Sequence, residues 1–180
     1  MIAILLAEGF EEVEAVTPAD FLRRAGLDVR LVGIAGRQVK GGHDITVAAD
    51  TTLAELTAEP DVLIVPGGGK GADNLAASRP VMDLIRSMHA KGKLIAAICA
   101  APAVVLHKAG VLAGRRVTCY PGLEKKLTGC TFSEERVVVD GNIITSRGAG
   151  TSAEFALAVV ERLAGEAKAS EIHRGTLQRA

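Results

Sequence analysis

Tryptophan is absent from the chain, and one tyrosine and four phenylalanines supply all of its aromatic rings. Stacking platforms for bases are therefore scarce. An excess of one charge is missing as well. The 21 basic residues balance 21 acidic ones, and no Lys/Arg run forms a local patch. A nucleic-acid partner is not expected. Cysteine is limited to Cys99, Cys119 and Cys130. An odd number without a C-x-x-C spacing argues against a disulfide framework and against a zinc site, so no metal is expected. Free thiols fit a reducing compartment. Long apolar runs are lacking, and none approaches the roughly 18–20 residues that span a bilayer, so no membrane partner is expected. The opening Met1 to Ala7 has no positively charged leader and is soon followed by Glu8, Glu11, Glu12 and Glu14. The expected location is cytoplasmic.

What is present is enough apolar material for a core. Of the 180 residues, 48% are hydrophobic, which fits one folded domain over residues 1–180. The chain is organised around Leu94 to Pro102. An apolar run of strand type ends at Cys99, small residues and Pro102 follow, and Val104, Val105 and Leu106 read as a helix. A cysteine at a strand-to-helix turn has the geometry of a nucleophile elbow, with a thiol in place of the usual serine. Such a tight turn needs small neighbours, and Ala97, Ala100 and Ala101 supply them. The N-terminus of the following helix would favour the thiolate and lower the thiol pKa. A buried structural cysteine is the competing reading of this pattern.

The other elements follow from hydrophobic periodicity and breakers. Strands are predicted at Ile2 to Ala7, Val29 to Ile34, Asp61 to Val65 and Leu94 to Ile98, all apolar enough for a buried parallel sheet. A helix over Glu12 to Ala25 joins the first two, with Val13, Val16, Phe21 and Leu22 inward and a kink or delayed start at Pro18. Val39-Lys40 and Asp44 to Ala48 suggest a small hairpin, and Thr51 to Leu56 a short helix. Pro66 to Gly71 is a glycine cluster at the end of the third strand, where open α/β sheets place ligands. Val81, Leu84, Ile85 and Met88 form one helical face. After the elbow come a helix closed by Gly110, a short strand at Val117 to Cys119, a short helix at Pro121 to Leu127, and a hairpin of Val137 to Val139 with Ile143 to Thr145. The last two helices are separated by Gly165, the first offering Phe155, Leu157, Ala158, Val159 and Leu163 to its buried side. The alternation of strands and helices predicts a flavodoxin-like, three-layer α/β sandwich with a mostly parallel sheet.

A thiolate needs partners. Gly67 and Gly68, with Ala100, offer backbone N–H groups for an oxyanion hole. A protonated glutamate can hydrogen-bond the sulfur and serve as acid and base, whereas a charged one raises the thiol pKa. Glu11, Glu12 and Glu14 are candidates, although acids at a helix start also suit a solvated N-terminus. Of the four histidines, His107 lies about 12 Å along the predicted helix from Cys99. His43, His89 and His173 sit in unrelated elements, so no imidazole base is evident and a papain-like protease is disfavoured. The glycine cluster matches neither a P-loop nor a dinucleotide fingerprint.

Five landmarks occur in order: Glu11-Glu12-Val13-Glu14-Ala15-Val16, Pro66-Gly67-Gly68, Ala96 to Pro102, Thr145 to Ser152, and Glu154-Phe155-Ala156-Leu157. By these, and over nearly its full length, the sequence resembles the ThiJ/PfpI superfamily, in the clade of the parkinsonism-associated protein deglycase. The resemblance implies a homodimer, a reactive Cys99, and a protonated Glu14 bonded to its sulfur. It implies oxyanion-hole amides at Gly68 and Ala100. Arg23 or Arg24 and His43 fall where the family's dimer interface binds small anions. The position of His43 is commonly arginine in the family. Tyr120, Arg147 and Gly148 are substrate-pocket candidates, with Tyr120 at the place where the human member carries a histidine. The protease branch has histidine directly after the nucleophile, where Ala100 stands here. Related amidotransferases need a late His-x-Glu, but His173 is followed by Arg174-Gly175. The function implied is a cofactor-independent glyoxalase or deglycase acting on small reactive carbonyls. The alternatives are a redox sensor or chaperone through oxidation of Cys99, and a hydratase or hydrolase of another small molecule.

Overall fold

Strand β1 (Ile2–Leu6) is wholly buried, and its side chains alternate between two cores. Ile2, Ile4 and Leu6 face one side of the sheet; Ala3, Leu5 and then Ala7 face the other. This two-residue period in an all-apolar run marks a strand covered on both faces. The computed structural model describes residues 1–178. In chain order the other strands are β2 (Val29–Gly33), β3 (Gln38–Lys40), β4 (Thr46–Ala48), β5 (Thr51–Thr52), β6 (Val62–Val65), β7 (Leu94–Ile98), β8 (Arg116–Val117), β9 (Thr131–Phe132), β10 (Val137–Asp140) and β11 (Ile143–Ser146). Seven of them form the main sheet in the order β10-β11-β7-β6-β1-β2-β5. All neighbours are parallel except the β10–β11 hairpin.

Helices cover both faces. α1 (Glu12–Arg24), α5 (Ser152–Ala164) and α6 (Glu166–Gly175) share one core with the sheet. α2 (Gly69–Ala77), α3 (Arg79–Ala90) and a π-helical turn, Pro102–Leu106, continuing into α4 (His107–Ala109), share the other. The result is the flavodoxin-like sandwich that the alternation of elements predicts. β1 lies between β2 and β6, so the chain order reverses beside it. The loops after β1, β6 and β7 leave three adjacent carboxyl ends, which is where such sheets open a crevice.

Several local expectations change. The glycine cluster is not a loop: α2 begins within it at Gly69. Gly71 is needed for space, because a Cβ there would sit 2.6 Å from the backbone of Phe10. α1 runs through Pro18 and starts on time at Glu12. Its first turns are turned over relative to the expected face, with Glu12 and Glu14 buried and Val13 and Val16 each 47% exposed. The inward side there meets backbone N–H donors instead of apolar side chains. Thr51–Thr52 form a short edge strand followed by a 3-10 turn, not a helix. The strand expected at Val117 to Cys119 is Arg116–Val117, paired parallel to Thr131–Phe132. Of the α5 residues expected inward, Phe155 and Val159 are buried, Leu157 and Ala158 are partly buried, and Leu163 is exposed.

Phe155 is fully enclosed between α5 and the sheet. Phe155→Ala is expected to cost about 3–5 kcal/mol in urea unfolding, and Leu163→Ala under about 1 kcal/mol.

Candidate active site

Cys99 is the residue after β7, and its backbone is left-handed, with φ of 65°. A non-glycine residue adopts this conformation at a cost of order 1 kcal/mol or more, so neighbours must hold it. The Cys99 N–H donates to Ser146 O at 2.9 Å, and its carbonyl accepts from Tyr120 N–H at 2.8 Å. Strand β11 and the segment after β8 thus clamp the two sides of the turn. Gly67 makes room for the side chain, since a Cβ there would lie 2.6 Å from Cys99 Cβ and 2.7 Å from Glu14 Oε2. The elbow expected from the sequence is present.

Three groups face the sulfur: the Glu14 carboxyl and the N–H groups of Gly68 and Ala100. Glu14 reaches it from the first turn of α1 and is completely buried. Its Oε2 accepts from Gly67 N–H at 2.8 Å, while its Oε1 is buried without a hydrogen-bond partner. The Cys99 sulfur is the carboxyl's other polar neighbour. Gly67 is therefore committed to Glu14 and does not belong to an oxyanion hole, which leaves Gly68 and Ala100. Gly68 takes a φ of 84°, and a Cβ there would collide with Gly9 O.

Burial raises the Glu14 carboxyl to about 7, the hydrogen bonds from Cys99 and Gly67 opposing it and the charge of Glu11 adding to it. Burial, then the charge of Glu14 and its hydrogen bond, push the Cys99 thiol up to about 12, against the two backbone N–H groups. The lowering expected from the helix N-terminus is thus overturned while Glu14 is ionised. Two of the three raising causes belong to that carboxylate and vanish when it is protonated. Its O–H then becomes a third donor to the sulfur, which favours the thiolate. Two adjacent negative charges are unfavourable here, so the residues titrate as a coupled pair. Glu14 is wholly enclosed and has one N–H partner; the sulfur is half-buried and has two. Charge on the sulfur is therefore favoured only in the state in which Glu14 holds its proton.

The remaining sequence candidates fall into two groups. Tyr120 is joined to the elbow through its N–H, and its ring stands over Gly148. With Arg136, Arg147, Gly150 and Thr151 they line a cavity of about 310 Å³. Arg147 stacks 5.8 Å above the Phe132 ring, and its Nη1 is buried without a hydrogen-bond partner. Thr151, unnoticed at the sequence level, ties this loop together through Ser146 Oγ at 2.6 Å and Gly148 N–H at 3.1 Å. Of the larger hollows, two lie near Glu55 to Asp61, at the amino ends of β1 and β6, and one beside Val139 and Arg162; none is lined by a cysteine.

Arg23, Arg24 and His43 do not form an anion pocket within the chain. Arg23 is bonded to Asp50 and Val29 O, Arg24 to Asp20, and His43 to Glu12. Glu12 is not a solvated helix-start acid either. Its Oε1 accepts from His43 N–H at 2.8 Å and Ile45 N–H at 3.4 Å, pinning the loop between β3 and β4. Burial works to raise its pKa, yet these bonds hold it below the usual carboxylate range.

Fold and site define a flavodoxin-like α/β protein with a cysteine elbow paired to a buried carboxylic acid. Residues 1–162 match the DJ-1/PfpI family, and the chain belongs to it. It is similar to protein dj-1beta of Drosophila melanogaster, 44% identical over 97% of this chain and 95% of that one. It is 36% identical to the glutathione-independent glyoxalase DJR-1.2 of Caenorhabditis elegans, over 94% of this chain and 91% of the relative. Among solved structures it resembles a DJ-1 superfamily protein from Salmonella typhimurium, with a TM-score of 0.96, 40% identity, and coverage of 99% of this chain and 98% of that one.

The raised pKa of Glu14 has a consequence for stability. The folded chain holds this proton more tightly than the unfolded chain, so the contribution is complete below about pH 4.5 and is lost as the pH rises through about 7. Glu14→Gln should remove that dependence. The stability of wild type relative to the variant is expected to fall by about 3 kcal/mol between these limits, measured by urea unfolding across pH.

Proposed function

We propose that the chain is a cofactor-independent glyoxalase that converts methylglyoxal or glyoxal to a 2-hydroxy acid, and that it also acts on their early adducts with amines and thiols as a deglycase. The observation that carries this is the Cys99–Glu14 pair: a nucleophilic sulfur beside an acid able to hold and return one proton. The printed activity of the Caenorhabditis elegans relative supports it.

The geometry suits the steps. The Cys99 thiolate adds to the aldehyde carbon, forming a C–S bond and moving the carbonyl electron pair onto oxygen. The Gly68 and Ala100 N–H groups, which face the sulfur, would then donate to that oxygen, and Glu14 gives it a proton. As a carboxylate, Glu14 then removes the hydrogen from the former aldehyde carbon and returns it to the neighbouring carbon, while the hydroxyl proton passes from the first carbon's oxygen to the second's. A thioester of the hydroxy acid remains, and water cleaves it to release the acid and the thiol. One water is consumed, and no electrons leave the substrate–enzyme pair. On this reading Tyr120 and Arg147, which line the same cavity, contact the far end of a small dicarbonyl.

The same reading includes a homodimer in the cytoplasm. Val13 and Val16 on α1 and Ile45 in the β3–β4 loop are exposed apolar side chains that suit a second copy. Among the described residues, no helix is long and apolar enough to cross a membrane.

Lactate formation from methylglyoxal without glutathione tests the proposal. Cys99→Ala is expected to lose at least about 10³-fold in kcat/KM, and Glu14→Gln about 10²–10⁴-fold. Cys99→Ala at wild-type rate would end the reading. Retained turnover in Glu14→Gln would end the proton-transfer part.

Redox sensing is the second reading, and the donors around the sulfur favour it. The Gly68 and Ala100 N–H groups and a protonated Glu14 could equally bind oxygens added to Cys99. Mass spectrometry after mild peroxide should then find two added oxygens on Cys99 and none on Cys119 or Cys130. Equal oxidation of all three would exclude selective sensing.

A further inference from the structure

One charged side chain beside the elbow has no counterion. Arg147 follows Ser146, the last residue of β11, whose carbonyl accepts from the Cys99 N–H. It lines the cavity of about 310 Å³ together with Tyr120, whose N–H donates to the Cys99 carbonyl. Both residues are thus carried by the backbone that holds the nucleophile. The Arg147 guanidinium carbon stands 5.8 Å from the centroid of the Phe132 ring, and Nη1 is buried without a hydrogen-bond partner. A buried donor left unpaired is costly, most of all on a charged group.

The acids of the surrounding loops are already engaged. Glu154 accepts from Arg136 Nε through both oxygens, at 3.0 and 2.9 Å. Glu135 pairs with Arg116, and Glu124 accepts from Gly122 N–H at 2.6 Å. Among the described residues, no carboxylate pairs with Arg147. The Cys119 thiol is near enough to feel its charge. Burial, then the charge of Glu124, pushes that thiol up to about 11, so it is uncharged at neutral pH and does not neutralise the guanidinium. Arg136, the other cation lining the cavity, is committed to Glu154 and to Gly150 O at 2.7 Å. One positive charge is therefore left over against this cavity. A planar guanidinium matches a carboxylate, which carries one charge and accepts in the same plane. A phosphate would bring more charge with no second free cation to meet it.

We propose that Arg147 anchors a carboxylate at the far end of the substrate, so that 2-oxoaldehydes with a distal carboxylate are turned over in preference to uncharged methylglyoxal. The inference rests on the glyoxalase reading and leaves its chemistry unchanged. Cys99 takes the aldehyde end, Glu14 moves the proton between the two carbons, one water is consumed, and the product is a 2-hydroxy dicarboxylate. Methylglyoxal presents a methyl group at the far end, which gives the guanidinium no acceptor.

The probe is 4,5-dioxopentanoate, whose carboxylate lies two methylenes beyond the keto group, compared with methylglyoxal in the absence of glutathione. Wild type is expected to favour the probe by about tenfold or more in kcat/KM. Arg147→Gln should lose about tenfold or more of that preference, mainly through KM, and Arg147→Lys should keep part of it. The preference is a ratio taken within each variant, so incomplete folding cancels. A preference absent from wild type, or kept in full by Arg147→Gln, would overturn the anchor and leave the glyoxalase reading standing. Turnover of neither substrate would end the glyoxalase reading, and binding then decides the anchor alone. Calorimetric titration with 4-oxopentanoate, which keeps the carboxylate and lacks the aldehyde, should show binding to wild type that Arg147→Gln weakens by about tenfold. Equal binding by the two, or none by wild type, would overturn the proposal.

Discussion

The left-handed backbone at Cys99 is the constraint on which the site depends. With φ of 65°, the chain leaves β7 and turns back within one residue, lifting the sulfur out of the sheet. No side-chain preference stabilises that conformation; the surrounding backbone does. Ser146 O on one side and Tyr120 N–H on the other hold the turn, and both come from segments far along the chain. The elbow therefore depends on β11 lying beside β7. A strained residue held in this way is a feature of sites that need a side chain in one place.

Burial then makes the chemistry. Glu14 is drawn into the interior by the first turn of α1 and finds one backbone donor and one sulfur. In water a carboxylic acid is a far stronger acid than a thiol. Here enclosure weakens both acids, while the Gly68 and Ala100 N–H groups oppose that rise at the sulfur. The proposed chemistry uses the state with the proton on oxygen and the charge on sulfur. This arrangement gives a nucleophile and a proton carrier without an imidazole. It also accounts for a site that lacks histidine while Ala100 occupies the position after the cysteine.

The buried strands and the elbow were legible from apolar runs and breakers, because those features depend on local sequence. Tyr120, Arg147 and Gly148, named as pocket candidates, line one cavity. The errors share a cause: they concern what a residue meets across the fold. Val13 and Val16 read as inward on a hydrophobic face, but backbone donors draw Glu12 and Glu14 inside instead. The glycines after β6 read as one loop, whereas α2 starts at Gly69 and Gly71 and Gly68 allow close approach to the loop after β1. Gly67 was assigned to the oxyanion hole, a role its bond to Glu14 forecloses. The direction of the Cys99 shift was missed because neither burial nor the distance to Glu14 is visible in sequence.

The central claim is that Glu14 is a hydrogen-bond donor, not a charge, beside the Cys99 thiolate. The direct measurement is the ultraviolet absorbance of that thiolate against pH in wild type and Glu14→Gln, with Cys119 and Cys130 replaced in both. Loss of the carboxylic acid donor should move the Cys99 midpoint upward. An unchanged midpoint, or a downward shift showing relief from a neighbouring carboxylate, would contradict the account.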